Sequence, residues 1–377
     1  MTSLFKRIIM SILSFINLII SKDKDKIVIY GRSMLNDNAE AIIDYLLLNN
    51  FQKKYQIYLL IKNTVQHPYK KDVNVVSGIA KTIFLTLRAK YIFHTHGMSL
   101  CSHKPYRGQI IFNLWHGTPL KAIGAMIGHI VHPETDSFFL CSSPYVAEIN
   151  KACFKIKDEQ VYIGSNPRND YLFKIEDVKN IMGWSNYSKV VVFMPTFRKS
   201  KAVDRLDAGK EFPILNELNI SEVNKKLKEK NVLLVIKPHP YQDNIQFLQK
   251  HYSNISIIYN ENIREKGVKL YVLLANTDAL ITDFSSVYFD YLLTNKPIGF
   301  AVDDMISYGK NRGYTVDDPI KIMPGMHIQT VDELIDFVDS VIKGNDDYLE
   351  CRNNINKLFN VSNIPNASQK LIEFLGI

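Results

Sequence analysis

The sequence predicts an α/β protein with two doubly wound domains, each built around a parallel sheet. Three observations support this fold class. The chain has 377 residues, which is long for a single hydrophobic core. Short apolar runs alternate along it with segments of helical length, a pattern typical of parallel sheets with right-handed crossovers. Several of these runs end in polar residues, and open α/β sheets bind ligands at the carboxyl ends of their strands.

The apolar runs fall into two series, which predict two domains facing a cleft. The first series predicts strands at 27–30, 57–61, 91–93, 110–114 and 138–141. The second series predicts strands at 190–194, 232–236, 255–258, 279–281 and 298–300. Because residues 166–170 are rich in turn formers, we predict one domain over 22–170 and another over 171–377 with a helical tail.

Residues 1–21 predict a separate amphipathic helix that associates with a membrane. The apolar stretch from Ile8 to Ile20 is short for a span, which needs roughly 20 residues. No small-residue cleavage site follows it, so we expect no removed signal peptide. Its polar residues are spaced three or four apart and share one helical face. The alternative is an ordinary helix packed on the first domain.

The charge and cysteine content of the chain limit the classes of molecule that it is expected to bind. The formal net charge is +8 and the pI is about 9.0, a balance that favours nucleotides or an anionic membrane surface. Nucleic acid ranks below these partners because no dense basic tract or nucleic-acid motif occurs. The four cysteines are scattered without metal-site spacing. We therefore expect no disulfide framework and no zinc site, as in a reducing cytoplasm.

His116 is the first candidate for chemistry. It follows the predicted strand at 110–114, and Thr118-Pro119 predicts a helix start directly after it. Gly117 would let a ligand approach the backbone closely. An imidazole at such a junction can act as a general base or donate to a phosphate. The alternative is a structural histidine held by hydrogen bonds.

Two further motifs place polar groups at the ends of predicted strands in the second half of the chain. Lys237 and His239 lie between prolines after one strand and suit an anion, although a basic surface loop would look the same. Asp283 could orient an imidazole or contact a ribose. Ser285 and Ser286 predict a capped helix start that binds an anion, with capping alone as the alternative.

Arg198 and the pair His94 and His96 are the remaining candidates for a functional site. Arg198, in the motif Pro-Thr-Phe-Arg that begins at residue 195, suits bidentate phosphate contact, and a solvated loop arginine is the alternative. His94 and His96 have the spacing of metal ligands. Because no acidic residue lies close to them in the sequence, we expect packing instead of a metal site.

The ordered set of motifs resembles the CDP-glycerol glycerophosphotransferase family, the teichoic-acid primases and polymerases. The motifs that carry the resemblance are 113–121, 167–170, 195–198, 237–240 and 282–286, with Asp290 and Pro297 continuing the last one. The resemblance covers about residues 90 to 325. The first hundred residues match weakly, and Phe284 stands where tyrosine is frequent in the family.

The resemblance implies a GT-B-like pair of Rossmann-type domains attached peripherally to the cytoplasmic membrane face. It implies transfer of a polyol phosphate from CDP-glycerol or CDP-ribitol to a lipid-linked acceptor, with release of CMP. Because the motifs contain no carboxylate pair and their cationic side chains supply compensating charge, we expect no metal requirement and no cofactor. The histidine matching His116 would be the catalytic base, and Asp283 is the second predicted catalytic residue. The predicted substrate-binding residues are Gly117, Thr118, Lys121, Arg168, Thr196, Arg198, Lys237, His239, Ser285 and Ser286.

Two other functional classes stay open at this point. One is a GT-B glycosyltransferase that uses a nucleotide sugar, and the other is a non-catalytic nucleotide-binding protein at a membrane surface. The nucleotide released on turnover distinguishes the first, and absence of turnover distinguishes the second. The sequence leaves open glycerol against ribitol, primase against polymerase, and wall polymer against capsule.

Overall fold

The chain divides into two α/β units. The computed structural model describes residues 3–31, 37–62, 68–200, 205–206, 211–242 and 245–377. Unit 1 comprises Met1–Thr118, Gly124–Asp170 and Ile364–Ile377, and unit 2 comprises Pro119–Ile123 and Tyr171–Asn363.

Helices and strands alternate along the described residues. The helices are α1 (Ser3–Ile19), α2 (Asp37–Leu48), α3 (Ile79–Arg88), α4 (Pro144–Phe154), α5 (Val178–Met182), α6 (Ile220–Glu229), α7 (Asn260–Glu265), α8 (Leu270–Ala275), α9 (Val287–Tyr291), α10 (Met305–Arg312), α11 (Val331–Lys343), α12 (Leu349–Phe359) and α13 (Ala367–Phe374). The strands are β1 (Asp23–Tyr30), β2 (Gln56–Leu60), β3 (Asn74–Val76), β4 (Ala89–His94), β5 (Ile110–Asn113), β6 (Phe138–Cys141), β7 (Val161–Ile163), β8 (Lys189–Met194), β9 (Lys199–Ser200), β10 (Arg205–Leu206), β11 (Val232–Ile236), β12 (Ile255–Ile257), β13 (Ala279–Thr282), β14 (Ile298–Ala301) and β15 (Met326–Ile328).

Unit 1 is built around a parallel sheet. Within the described residues this sheet has seven strands in the order β3-β2-β1-β4-β5-β6-β7. Its central strands are apolar runs buried on both faces, as in Ile27-Val28-Ile29, because helices cover both sides of the sheet. The strand order changes direction between β1 and β4, so the segments that follow these two strands flank the place where such sheets bind ligands.

Unit 2 repeats this plan. Its parallel sheet has six strands in the described residues, in the order β12-β11-β8-β13-β14-β15. This is the Rossmann strand order, and it changes direction between β8 and β13. The motifs at 195–198 and 282–286 therefore follow the two strands at the switch point. A short antiparallel ribbon of β9 and β10 adds to this unit.

The predicted fold class is confirmed at the level of two parallel-sheet α/β units. Every predicted run forms a strand, because a continuous apolar run suits a strand that is buried on both faces. Besides the two-residue strands β9 and β10, three strands of the parallel sheets, β3, β7 and β15, had no such signal. Each has three residues and lies at a sheet edge, where part of the strand is exposed and the apolar run is broken.

The division of the tail differs from the prediction. We predicted that all of 171–377 would form the second domain, but Ile364–Ile377 belongs to unit 1. Asp170 accepts hydrogen bonds from the backbone N–H groups of Ala367 and Ser368, at 2.8 and 3.0 Å, and so holds the start of α13. The short segment Pro119–Ile123 belongs to unit 2 instead of unit 1.

The first helix packs on unit 1 through its polar side. Asn17 is buried, and its amide donates to the Lys104 carbonyl at 2.8 Å and to Gln109 at 2.9 Å. Ser14 accepts from the Lys104 N–H at 3.0 Å. This helix has 17 residues, and none of the described helices is long and apolar enough to cross a membrane.

Candidate active site

His116 lies in unit 1, three residues after the end of β5. Its Nδ1 is 3.1 Å from the Thr95 carbonyl oxygen. Because a carbonyl only accepts, Nδ1 carries the proton and Nε2 carries the lone pair of the neutral ring. The His116 ring stacks on His96, with centroids 4.1 Å apart and an interplanar angle of 3°. This tautomer is the one that can take a proton at Nε2.

The predicted helix after His116 does not form. Residues 114–123 are all described and include no helix. Leu120 and Ala122 instead exchange backbone hydrogen bonds with Thr315 and Gly313 at 2.9 and 3.0 Å, and Lys121 forms a bridge with Tyr314. This pairing uses backbone groups that a helix would need, so His116 does not lie at a helix N-terminus. Lys121 consequently belongs to unit 2.

Gly117 and Thr118 directly follow the histidine. Gly117 has φ = +127°, a conformation that residues with a side chain rarely adopt, so the turn at this point requires glycine. Thr118 is buried, and its Oγ1 is 3.3 Å from the Ser142 Oγ. These contacts hold the turn after β5 in place.

Arg168 supports the His116 backbone. It is 3% exposed, and its Nη1 donates to the His116 carbonyl oxygen at 3.1 Å. Its own N–H donates to the Asn38 side chain at 3.2 Å. The structure thus brings Arg168 together with His116, as a buried cation on the backbone. We predicted a substrate contact for Arg168, and that contact stays a prediction beside the backbone contact that the structure shows.

Arg198 and Asp283 form a buried ionic network in unit 2. Both are 0% exposed, and the Arg198 Nη1 is 2.6 Å from the Asp283 Oδ2. Asp304 receives the Arg198 Nε at 2.6 Å. The Asp283 carboxylate also accepts from the Thr196 N–H and Oγ1, each at 3.0 Å. The rings of Phe284 and Tyr308 lie 5.7 and 5.2 Å from the guanidinium carbon.

This network involves three residues with predicted functional roles, which stay predictions. Arg198 was predicted to contact phosphate, Asp283 to act in catalysis, and Thr196 to bind substrate. The structure uses all three inside the protein. Burial alone would lower the pKa of Arg198, but the charges of Asp283 and Asp304 outweigh it and raise that pKa, so Arg198 stays cationic. Burial raises the pKa of Asp304, an effect that the Arg198 charge opposes. The network holds the segment after β8 against the segment after β13.

Lys237 and His239 follow β11 in the same unit. The Lys237 N–H donates to the Phe193 carbonyl at 2.9 Å, which extends the pairing of β11 with β8 by one residue. The His239 Nδ1 accepts from the Tyr241 N–H at 3.1 Å, so the proton of the neutral ring is on Nε2. A cavity of about 310 Å³ adjoins His239, lined by Pro238, Pro240, Gln242, Ile245, Leu248 and Tyr259.

Ser285 and Ser286 precede α9, which has five residues. We predicted that these serines cap the start of the helix that follows them. Ser286 instead has helical dihedrals, φ −63° and ψ −14°, and its side chain makes no capping hydrogen bond within the described residues. A residue with helical dihedrals cannot take the extended N-cap conformation that directs its oxygen back to the N–H groups. Both serines are partly exposed.

Sequence reasoning missed two contributors. Asp304 follows β14, so the rule that polar residues gather at the carboxyl ends of strands could have found it. His96 was expected to pack in a loop, and its partner His116 is distant in sequence. In the described part of the chain, no group of three or more His, Cys, Asp or Glu residues could hold a metal ion.

Comparison with known proteins identifies the family. Residues 12–376 match CDP-glycerol:poly(glycerophosphate) glycerophosphotransferase. The chain belongs to this family. It is therefore a CDP-glycerol glycerophosphotransferase, as its motifs predicted, and the resemblance is confirmed.

Individual relatives agree with this assignment. The teichoic acid poly(glycerol phosphate) polymerase of Bacillus spizizenii is 25% identical over 82% of this chain and 81% of its own length. The teichoic acid glycerol-phosphate primase of Bacillus subtilis is 30% identical over 70% of this chain and 68% of its own length. Relatives named as ribitol-phosphate polymerases and primases match as well.

A solved structure shares the fold. A variant of the wall teichoic acid polymerase TagF, studied with CDPG, has a TM-score of 0.78 to this chain at 20% identity. The match covers 98% of this chain and 93% of that one.

Proposed function

We propose that this glycerophosphotransferase uses His116 as the general base in transfer to a lipid-linked acceptor. An acceptor hydroxyl attacks the glycerol-bearing phosphorus of CDP-glycerol. A new P–O bond forms, the P–O bond to the cytidylyl phosphate breaks, and CMP leaves with the electron pair. The hydroxyl proton goes to His116. Glycerol phosphate is thereby added to a teichoic-acid or capsule-like polymer.

The observation that carries this proposal is the hydrogen bond from the His116 Nδ1 to the Thr95 carbonyl at 3.1 Å. It favours the tautomer with the lone pair on Nε2, which a general base requires. It also restrains rotation of the ring. Histidine suits the task because its unperturbed pKa lies near neutrality.

Lys237 and His239 are proposed to bind the donor diphosphate. The donor diphosphate is negatively charged, and further negative charge develops on the phosphate of CMP as it leaves. Cationic groups and N–H donors therefore stabilise the transition state. The His239 Nδ1 accepts from the Tyr241 N–H, so the neutral ring carries its proton on Nε2, the atom that would donate to a phosphate oxygen. The neighbouring cavity of about 310 Å³ is lined in part by side chains from the same loop. Ser285 and Ser286 complete the proposed phosphate contacts, since both are partly exposed and the Ser286 side chain makes no capping hydrogen bond within the described residues.

The acceptor is proposed to reach the enzyme at a membrane surface through α1. The exposed side chains Phe5, Ile8, Ile12, Phe15 and Ile19 follow one another at spacings of three and four. They form an apolar stripe along one side of the helix, which we call the α1 stripe. Such a stripe suits insertion into the interfacial plane of a lipid bilayer.

Charge supports an anionic lipid surface as the partner of the α1 stripe. Lys6 and Arg7 are exposed beside it, and each cation near an anionic surface contributes about 1 kcal/mol. The buried Asn17 anchors the opposite side of the helix to unit 1. The polar face is thus used for packing, and the apolar face is outward. The cytoplasmic membrane face and a GT-B-like arrangement of the two units are parts of the same proposal.

One assay tests the reaction and the base together. The protein is incubated with CDP-glycerol or CDP-ribitol and a lipid-linked acceptor, and CMP release is followed. We expect turnover with CDP-glycerol. His116→Ala should lower kcat by roughly 10²–10⁴-fold, the usual contribution of a general base. Calorimetric binding of CDP-glycerol should survive in this variant.

His132→Ala is the matched control. His132 lies in the same unit and its side chain is 35% exposed, so its loss should leave kcat unchanged. If His116→Ala turned over CDP-glycerol as fast as this control, His116 would not be the base. Release of CMP from CDP-ribitol alone would contradict the choice of glycerol.

A further inference from the structure

The loop after β4 is organised around His116. His94 ends β4, Thr95 and His96 follow, and His94 is the register partner of Asn113 at the end of β5. Because parallel strands end at the same edge of the sheet, the two segments that follow β4 and β5 lie side by side. Thr95 and His96 are thereby placed next to His116, which follows β5 by three residues.

A single carboxylate ties these two strand ends together. The Asp136 Oδ1 is 2.8 Å from the His94 Nε2, and its Oδ2 accepts from the Asn113 Nδ2 at 2.9 Å. The Gly97 N–H donates to the His94 Nδ1 at 3.1 Å, so the proton of His94 is on Nε2 and is donated to Asp136. His94 is 1% exposed, and the loop that carries His96 is therefore anchored at its base.

His96 itself is held on both sides. Its Nδ1 is 2.8 Å from the Thr95 Oγ1, and its ring lies flat against the His116 ring, with an interplanar angle of 3°. The Thr95 carbonyl accepts from the His116 Nδ1 at the same time. One dipeptide, Thr95-His96, thus contacts the edge and the face of the proposed base.

We propose that His96 is a positioning residue that keeps His116 oriented and neutral for its role as base. This inference rests on the proposed function. The stacked ring limits rotation of His116. When His96 carries the first proton of the pair, it also disfavours protonation of His116, because two imidazolium rings stacked face to face would repel each other.

A charged group on the His116 backbone acts in the same direction. Arg168 places its guanidinium on the His116 carbonyl at 3.1 Å, and a nearby cation also disfavours the imidazolium form. Trp115 contacts the His116 ring with centroids 3.8 Å apart, and its aromatic face acts in the opposite direction because it attracts a cation. The Asp136 carboxylate, which would favour the imidazolium, is engaged with His94 and Asn113.

The test compares His96→Phe with His96→Ala in the full-length protein. Phenylalanine keeps a flat ring and removes the titrating nitrogens, whereas alanine removes both. In the wild type, kcat/KM falls as the pH drops and His116 takes up a proton. In His96→Phe this acid limb should move to higher pH by about one unit, the scale at which paired sites couple. The alkaline plateau should change little.

His96→Ala should show the same shift and a lower plateau. Loss of the stacked ring frees His116 to rotate, and a misplaced catalytic group costs up to about 10²-fold in kcat. The KM for CDP-glycerol should stay constant, because the proposed donor contacts belong to unit 2. His132→Phe serves as the control and should move neither quantity. Circular dichroism and thermal unfolding establish that each variant is folded.

The outcomes separate this inference from the proposed function. If His116→Ala abolished turnover while His96→Phe kept the wild-type pH profile, the positioning role would be wrong and the base would stand. If His116→Ala were fully active, the proposed base itself would fail. A shifted acid limb in His96→Phe with an unchanged one in His132→Phe would support the inference.

Discussion

Replacing Arg198 with methionine distinguishes a buried ionic network from a phosphate-binding arginine. Arg198 is 0% exposed and neutralises Asp283 and Asp304, with contacts of 2.6 Å to each. Methionine fills much of the same volume but carries no charge or donor. Arg198→Met therefore leaves two buried carboxylates without their cation, while the apolar packing against Phe284 and Tyr308 is largely kept.

The expected loss of folding free energy is large because the arginine and both carboxylates are buried. Removing one partner of a buried ion pair destabilises a protein by about 3–5 kcal/mol. For a unit of 150–250 residues, each kcal/mol lowers the Tm by roughly 2–4 °C, so we expect a decrease of roughly 6–20 °C. Thr196 also loses the neighbour that donates to its carbonyl at 3.1 Å.

Thermal unfolding at two pH values measures this effect. Without Arg198, nothing in this pair opposes the burial that raises the pKa of Asp304, so the folded state binds more protons than the unfolded state. Stability then falls as the pH rises through that raised pKa, and the deficit of Arg198→Met should be smaller at pH 5 than at pH 7.5. Lys226→Ala removes a cation from exposed pairs with Glu222 and Asp332 and should leave the Tm unchanged.

The opposite result would refute this reasoning. If Arg198→Met kept the wild-type Tm at pH 7.5 but bound CDP-glycerol weakly in calorimetry, Arg198 would be a donor ligand, as the sequence motif first indicated. A deficit that is equal at both pH values would show that the loss comes from packing and not from the uncompensated carboxylates.

Three further predictions concern the donor, the membrane and metal. Lys237→Ala should raise the Kd for CDP-glycerol at least tenfold, about 1.4 kcal/mol. Lys250 is an exposed cation paired with Glu217, so Lys250→Ala should not change this Kd. Equal Kd values for the two variants would place the diphosphate elsewhere. Phe15→Asp, at a position 70% exposed in the α1 stripe, should abolish sedimentation with anionic liposomes, and Leu48→Asp, at a position 74% exposed on α2, should not. Treatment with EDTA should leave CMP release intact, since Lys237 and protein N–H donors supply the compensating charge; activity lost with EDTA and restored by magnesium would contradict this.

Local sequence was sufficient for the fold class and for the family. Runs such as Val232–Ile236 are apolar at every position, and only a strand covered on both faces suits them. The motifs that follow these strands lie at the carboxyl ends of two sheets, because parallel strands place all such ends on one edge. Candidates as distant as Thr196 and Asp283 could therefore be grouped from sequence alone.

The roles of those residues depended on tertiary contacts. Arg198 reads as a phosphate ligand in its motif, and its partner Asp304 lies more than a hundred positions away, so no local pattern indicates that the pair is buried. The helix expected after His116 fails to form for a similar reason, since Leu120 and Ala122 pair with Thr315 and Gly313.

What the sequence determined by itself was the alternation of strands and helices, the chemistry available at the strand ends, and the family. What only the tertiary structure decided was which polar groups neutralise one another and which ring lies against His116. Apolar periodicity is a local property of the chain and can be read residue by residue. Hydrogen bonds and ion pairs such as those of Asp136, which joins the ends of β4 and β5, exist between side chains that only the folded sheet brings within 3 Å.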